Sequence, residues 1–127
     1  MKPKLFLTIA ALYMLLGGVG QIFTPAISFY LDSSTSTYTL HIIRATTALL
    51  MGMGAIYWFA RDTEPSRGRD AIFMGSAAGF GLNTVFIVLA ALSPDGVGLT
   101  WGIAALNLLV AVGFFVVGRA NMSTAAA

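Results

Sequence analysis

"AIFMGSAAGFGLNTVFIVLAAL", residues 71–92, runs for 22 residues without one charged side chain. A helix that crosses the hydrocarbon core of a bilayer needs about 20 consecutive, mainly apolar residues. Three other stretches have that length and character, at residues 5–23, 40–60 and 99–118. The sequence therefore predicts an all-α fold, an integral membrane bundle of four spanning helices in a single domain, residues 1–127.

The composition agrees with a membrane protein and excludes several kinds of site. Of the 127 residues, 57% are hydrophobic and 9% are charged, whereas a soluble domain is about 25% charged. The absence of cysteine excludes disulfides, thiolate metal sites and iron–sulfur clusters. The basic residues are scattered and form no basic helix face, which argues against nucleic acid as a partner. No metal and no cofactor are expected.

The charges predict how the helices are oriented in the membrane. If the four spans alternate in direction, one side receives nearly all the basic residues, which are Lys2, Lys4, Arg61, Arg67, Arg69 and Arg119. The other side receives Asp32, Asp95 and many hydroxyl side chains, with Arg44 as its nearest basic residue. Cytoplasmic loops are enriched in lysine and arginine. Both termini are therefore predicted to be cytoplasmic.

Each predicted span carries polar residues among small ones on a single helix face. The polar residues are Gln21, Arg44, Asn83 and Asn107, and residues three or four apart share their faces. The neighbours on those faces include Gly17, Thr47, Ser76, Gly79, Ala104 and Ala111. Helices in lipid associate through close packing of small residues and a few hydrogen bonds. These faces are therefore predicted to point into the bundle.

Asn83 and Asn107 lie at similar depths on consecutive spans. Asn83 is nine residues before Leu92 and Asn107 is eight after Leu99, so each lies about 12–14 Å from the outer end of its span at 1.5 Å per residue. We expect the two carboxamides to meet. Two interpretations remain: a hydrogen bond that holds the helices together, or the lining of a polar ligand pocket.

Arg44 lies about 6 Å below Leu40 by the same helical rise. Arginine has no accessible neutral form, so it does not carry protons. Arg44 either pins the outer loop or binds an anionic or carbonyl group. His41, one turn outward, is the single histidine. With Gln21, Asn83 and Asn107, these two residues make up the candidate ligand pocket in the outer half of the bundle.

Two stretches carry a resemblance to a known family: "GGVGQIFTPA", residues 17–26, and "HIIRATTALLMGMGAIYW", residues 41–58. With the short basic loop and two more spans, the chain resembles the small bacterial four-helix membrane proteins catalogued as a domain of unknown function, numbered forty-three forty-five. The resemblance implies a location in the bacterial cytoplasmic (inner) membrane. Members often carry an arginine in the third span and an acid in the fourth, where this chain has Asn83 and Asn107. The layout also resembles DoxX-like membrane proteins, which occur around redox systems.

Three functions fit these features. The first is a non-catalytic accessory or structural subunit that packs against a larger membrane complex of respiratory or photosynthetic type. The alternative is a small protein, as a monomer or a homo-oligomer, that binds or transports an amphipathic ligand such as a lipid or quinone. Proton-coupled export like that of the similarly sized multidrug exporters needs a carboxylate within a span, and this chain has none. The third is a lipid-modifying enzyme using His41, which is disfavoured because no carboxylate accompanies that histidine.

Overall fold

The computed structural model consists of four α-helices and describes residues 2–23, 37–93 and 98–122, within which it contains no strand. The helices are α1, Pro3–Phe23; α2, Thr37–Ala60; α3, Arg67–Ala91; and α4, Gly98–Ala120. Each contains one predicted span almost entirely and extends it by a few residues. The all-α prediction is confirmed. The predicted outer loop at residues 24–36 lies outside the described residues.

Three helices are long and apolar enough to cross a membrane: Pro3–Phe23, Arg67–Ala91 and Thr100–Ala120. The length and composition of these helices are therefore compatible with a membrane protein. The described part of α2 is not among the three, and it carries His41, Arg44 and a pair of threonines in its first half. The predicted crossing by α2 stays a prediction.

Local sequence explains where α3 begins and where α3 and α4 end. Ser66 has extended backbone and its hydroxyl oxygen accepts a hydrogen bond from the backbone N–H of Arg69 at 3.2 Å, which caps the first turn of α3. Leu92 closes α3 by donating to the Val88 carbonyl at 3.0 Å. Asn121 follows α4 and donates from its side chain to the Val117 carbonyl at 2.8 Å.

The chain divides into two compact units, and each is described by itself. Unit 1 contains Met1–Phe6 and Thr63–Ala127, and therefore includes the first residues of α1 with α3 and α4. Unit 2 is Leu7–Asp62, which contains the rest of α1 and α2. The prediction of one domain stays a prediction.

Four phenylalanines form the core of unit 1. Phe114, fully buried, packs edge-on against Phe6 with ring centroids 4.8 Å apart, and lies 5.9 Å from Phe73 and 5.8 Å from Phe80. These separations are favourable for aromatic pairs. They bring the start of α1, the start of α3 and the end of α4 together at one end of unit 1. We call it the basic end, since it carries Lys2, Lys4, Arg67, Arg69 and Arg119.

Unit 2 is built on a close approach between α1 and α2. A Cβ atom at Gly54 would lie 3.0 Å from the Met14 Cβ and 3.3 Å from the Ala11 carbonyl oxygen. A Cβ atom at these distances would push its neighbours on α1 away by a few tenths of an ångström. Leu7 and Ala11 are fully buried, and Tyr57 is 1% exposed. The small residues of α1 and α2 therefore permit tight helix packing, as is usual in membrane proteins.

The predicted inward faces are confirmed in part. Ala104, Asn107 and Ala111 on α4 are buried, as are Thr47 on α2 and Ser76 on α3. The prediction is wrong for four other residues, which are exposed: Gly17, Arg44, Gly79 and Asn83.

Aromatic packing explains the difference on α3. The buried face of that helix runs through Arg69, Phe73, Ser76, Phe80 and Thr84. Phe73 and Phe80 both turn toward the ring of Phe114, and this orientation rotates Asn83 to the flank of the helix. A buried face that is predicted from small and polar residues alone does not take into account the large aromatic rings, which are also buried.

Candidate functional site

The Asn83–Asn107 pair joins α3 to α4 within unit 1. The Asn83 Nδ2 donates to the Asn107 Oδ1 at 3.0 Å, which confirms the predicted contact between the two carboxamides. The Asn107 Nδ2 donates in turn to the Ile103 carbonyl of its own helix at 3.0 Å. Asn107 is 5% exposed, and both heavy atoms of its carboxamide are already bonded. The buried member of the pair therefore acts as a connector between helices.

Asn83 differs because its side chain lies at the surface of α3. Its nitrogen is engaged with Asn107, while no donor reaches its carbonyl oxygen in the described part of the chain. Within a helix long and apolar enough to span a membrane, this oxygen has no water to bond with if lipid surrounds it. This oxygen is therefore available to a hydrogen-bond donor from another molecule.

Gln21 and Thr47 form the corresponding contact in unit 2. The Thr47 hydroxyl lies 3.1 Å from the Gln21 Oε1 and 2.8 Å from the Ile43 carbonyl oxygen. A hydroxyl has a single hydrogen, so it donates to one of these oxygens at a time. Thr47 is 1% exposed. Like the Asn pair, this bond links two helices.

His41 and Arg44 are both exposed on α2. Neither side chain makes a hydrogen bond or ion pair with any other described residue. Asp32 and Asp95, the acids predicted near the same rim, lie outside the described residues. Of the five candidate pocket residues, the structure brings together Asn83 with Asn107, and it places Gln21, His41 and Arg44 in unit 2.

Arg69 is a buried cation, although its place in a short basic loop predicts only a topology signal. It is 8% exposed, and its Nη1 and Nη2 donate to the Thr63 and Asn121 carbonyls, each at 3.1 Å. Its Nε is buried and has no hydrogen-bond partner among the described residues. The guanidinium thereby ties the loop before α3 to the end of α4. A signal was present, because Arg69 lies four residues before Phe73 on the same helix face.

A shallow apolar groove of about 450 Å³ runs between α3 and α4. Its lining residues are Met74, Ala77, Ala78, Ala111, Val112 and Phe115. The guanidinium carbon of Arg119 lies 6.0 Å from the centre of the Phe115 ring, which is at the edge of cation–π range. The groove therefore has an apolar floor and a basic side chain beside the Phe115 ring.

Within the described ranges, no group of three or more histidine, cysteine, aspartate or glutamate residues is placed to hold a metal ion. The polar contacts found there instead connect helices and helix ends. No protein-family model, curated protein or solved structure matches this chain. The family resemblance read from residues 17–26 and 41–58 therefore stays a prediction.

Proposed function

We propose that this chain is a non-catalytic accessory or structural subunit, which packs against a larger membrane complex, for example of respiratory or photosynthetic type. In this role the chain presents a helix surface to a partner and supplies no reacting group. The observation that carries the proposal is the exposed carboxamide of Asn83 on a helix that is apolar enough to span a membrane.

The surroundings of Asn83 favour a protein partner over lipid. Gly75, Gly79 and Asn83 follow each other at four-residue spacing along one exposed side of α3, which we call the small face. A Cβ atom at either glycine would meet nothing within 4 Å. A partner helix can therefore approach the α3 backbone closely and donate a hydrogen bond to the Asn83 oxygen. Lipid chains offer no such donor, and an unpaired carbonyl in hydrocarbon costs several kcal/mol.

The use of the buried polar groups supports a non-catalytic role. Asn107 and Thr47 bond across helices, and Arg69 holds two backbone carbonyls. Each of these groups is committed to holding the fold together. The exposed surface of α3 and α4 is instead rich in large apolar side chains: Leu82, Val85, Phe86, Leu89, Trp101, Leu106 and Leu109. Such a surface is suited to contact with membrane-embedded partners.

We further propose that both termini are cytoplasmic and that the membrane is the bacterial inner membrane. The basic end of unit 1 supports the first point, because the start of α1 and the end of α4 lie there with five basic residues. Cytoplasmic ends of spanning helices carry such residues. The chain has no cysteine, so Met122→Cys provides a unique label. We expect a membrane-impermeant maleimide to label this variant only after the cells are opened.

The accessory role is tested by gentle detergent extraction of native membranes, followed by native gel electrophoresis and mass spectrometry. Wild type is expected to migrate with a large complex at fixed stoichiometry. Gly79→Leu and Asn83→Leu change the small face and are expected to release the chain. Gly102→Leu is the matched control, since Gly102 is also exposed with nothing within 4 Å of its Cβ position, and we expect it to stay in the complex.

Three results would contradict the proposal. Wild type migrating as a free monomer or homodimer would remove the partner complex. Retention of both Gly79→Leu and Asn83→Leu would remove the small face as the contact. Release of Gly102→Leu to the same extent would show that any added bulk has the effect.

A further inference from the structure

The α3–α4 groove and the arginines beside it have the layout of a phospholipid site. The groove is shallow, with an apolar lining and a volume of about 450 Å³. The groove is accessible from outside, along the surface of two helices that are apolar enough to span a membrane. A hydrocarbon chain is the occupant that such a lining favours.

The position of the groove along the two helices fits an acyl chain whose headgroup lies at the basic end. On α4, Phe115 and Ala111 lie four and eight residues before Arg119, about 6 and 12 Å along the helix. On α3, Met74 and Ala78 lie about 10 and 16 Å beyond Arg67 by the same rise. Both helices therefore place an arginine just outside the groove and apolar side chains at the depth of the first acyl carbons.

Arg67 and Arg119 lie on the groove side of their helices. Arg67 is seven residues before Met74 and Arg119 is four after Phe115, which are spacings that keep residues on one helix face. Both arginines are exposed, and neither has a carboxylate partner in the part of the chain that the structure describes. Asp70 also lies on this side, but it is half-buried and has an interaction of its own. The mouth of the groove is therefore net positive.

From this arrangement we infer that the α3–α4 groove binds one anionic phospholipid, with an acyl chain along Met74 and Phe115 and the phosphate between Arg67 and Arg119. The two guanidinium groups supply charge and hydrogen-bond donors that match a phosphate. Asn83 lies on another side of α3, so this site is separate from the small face. The inference does not depend on the accessory role, and the two tests have separate readouts.

Native mass spectrometry of the delipidated full chain in detergent tests this site. The probes are dioleoyl phosphatidylglycerol and dioleoyl phosphatidylcholine, which have identical acyl chains and differ in net headgroup charge. We expect one phosphatidylglycerol to be retained per chain, at lower lipid concentration than phosphatidylcholine. A basic residue near a membrane surface changes anionic lipid binding about fivefold. Arg67→Gln and Arg119→Gln should each weaken retention by about that factor. The double variant should weaken it more than either single change, although not by the simple product, because both arginines contact the same phosphate.

Two more variants separate the groove from general charge and bulk. Ala78→Leu fills the groove and should lower the retention of both lipids, whereas Ala90→Leu adds the same side chain to an exposed position of α3 outside the groove. Arg61→Gln removes a basic residue that already pairs with Asp62 at 3.2 Å and lies over Trp58. We expect both controls to bind like wild type. Circular dichroism checks that every variant keeps its helicity.

Several outcomes would overturn the inference. Equal retention of the two lipids would remove the headgroup preference. Wild-type binding by the Arg67→Gln and Arg119→Gln double variant would remove the phosphate position, and wild-type binding by Ala78→Leu would remove the groove. Competition by inorganic phosphate alone, as effective as that of the lipid, would show an ion site without an acyl chain.

Discussion

Arg44 and Arg69 are opposite cases near the starts of α2 and α3. Arg44 lies within an apolar stretch, where an intramembrane charge suggests function, yet its side chain is exposed. Arg69 lies in a short polar stretch that looks like a solvated loop, yet it is 8% exposed and bonds two carbonyls. The position of a charge along the sequence therefore does not predict its burial. Glycine, asparagine and threonine also occur both buried and exposed in this chain. Substitutions at a buried and an exposed residue of the same type therefore extend the comparison.

The largest expected effect is that of Arg69→Ala compared with Arg44→Ala. Arg69→Ala removes two charged hydrogen bonds and leaves the Thr63 and Asn121 carbonyls without their donor. We expect the free energy of unfolding to fall by about 3 kcal/mol. Arg44→Ala changes an exposed side chain and should stay within about 0.5 kcal/mol of wild type. Unfolding in mixed SDS micelles, followed by circular dichroism, measures both.

Arg69→Lys sharpens this result. An ammonium group lacks the planar fork that reaches two carbonyls at once. We therefore expect Arg69→Lys to lower the free energy of unfolding, but by less than Arg69→Ala does. If Arg69→Lys matched wild type, charge alone would matter and the fork would not. If Arg44→Ala cost as much as Arg69→Ala, the contrast between the two arginines would be lost.

Gly118 and Gly102 make the next comparison, within α4. A Cβ atom at Gly118 would lie 2.8 Å from the Phe73 Cβ, whereas one at Gly102 would meet nothing within 4 Å. Gly118→Ala therefore forces α3 and α4 apart and should cost about 2 kcal/mol. Gly102→Ala should be neutral or slightly stabilising, because alanine favours helix by up to about 1 kcal/mol over glycine. Equal stability of the two variants would refute the close approach of α3 and α4.

Asn107 and Asn83 are the buried and exposed ends of one hydrogen bond. Asn107→Leu and Asn83→Leu each remove it, and we expect each to cost about 1 kcal/mol, the usual scale for polar contacts between membrane helices. The double variant should cost little more than the larger single change, since both remove the same bond. A double-mutant cycle in SDS unfolding measures the coupling. Additive losses would mean that the two carboxamides act independently.

The smallest expected effect separates two adjacent threonines. Thr47→Val removes only the hydroxyl that bonds within unit 2 and should cost about 0.6 kcal/mol. Thr46→Val changes an exposed neighbour on the same helix, and we expect a change of less than about 0.5 kcal/mol. The same unfolding assay compares them. A greater loss for Thr46→Val would reverse the assignment of the buried face of α2.

The sequence predicts the helices well because apolar runs of spanning length have few alternative structures. It also predicts the contact between Asn83 and Asn107, since helical rise converts residue counts into depth. The rotation of α3 is not predictable in that way. It depends on which rings meet Phe114, a residue 30 or more positions away in sequence. Faces chosen from polar and small residues alone therefore placed Asn83 and Gly79 inward.

Arg69 was missed for a related reason. Its hydrogen-bond acceptors are backbone carbonyls, and one of them belongs to Asn121, 52 positions later. Every residue has a backbone carbonyl, so the pattern of side chains does not predict which carbonyls accept these hydrogen bonds. The groove is likewise a product of packing, since its two walls come from different helices. The sequence predicts Arg67 and Arg119 only as topology signals, together with the other basic residues at that end of unit 1.

The carboxamide contact between α3 and α4 has a consequence for conditions inside a living cell. Neither asparagine titrates, and neither carries a net charge that an electric field can displace. A charged pair at the same depth would respond to the transmembrane potential, at about 2.3 kcal/mol per elementary charge for each 100 mV moved through the full field. The joint between these helices should therefore hold equally well in energised and de-energised membranes and over a wide range of pH.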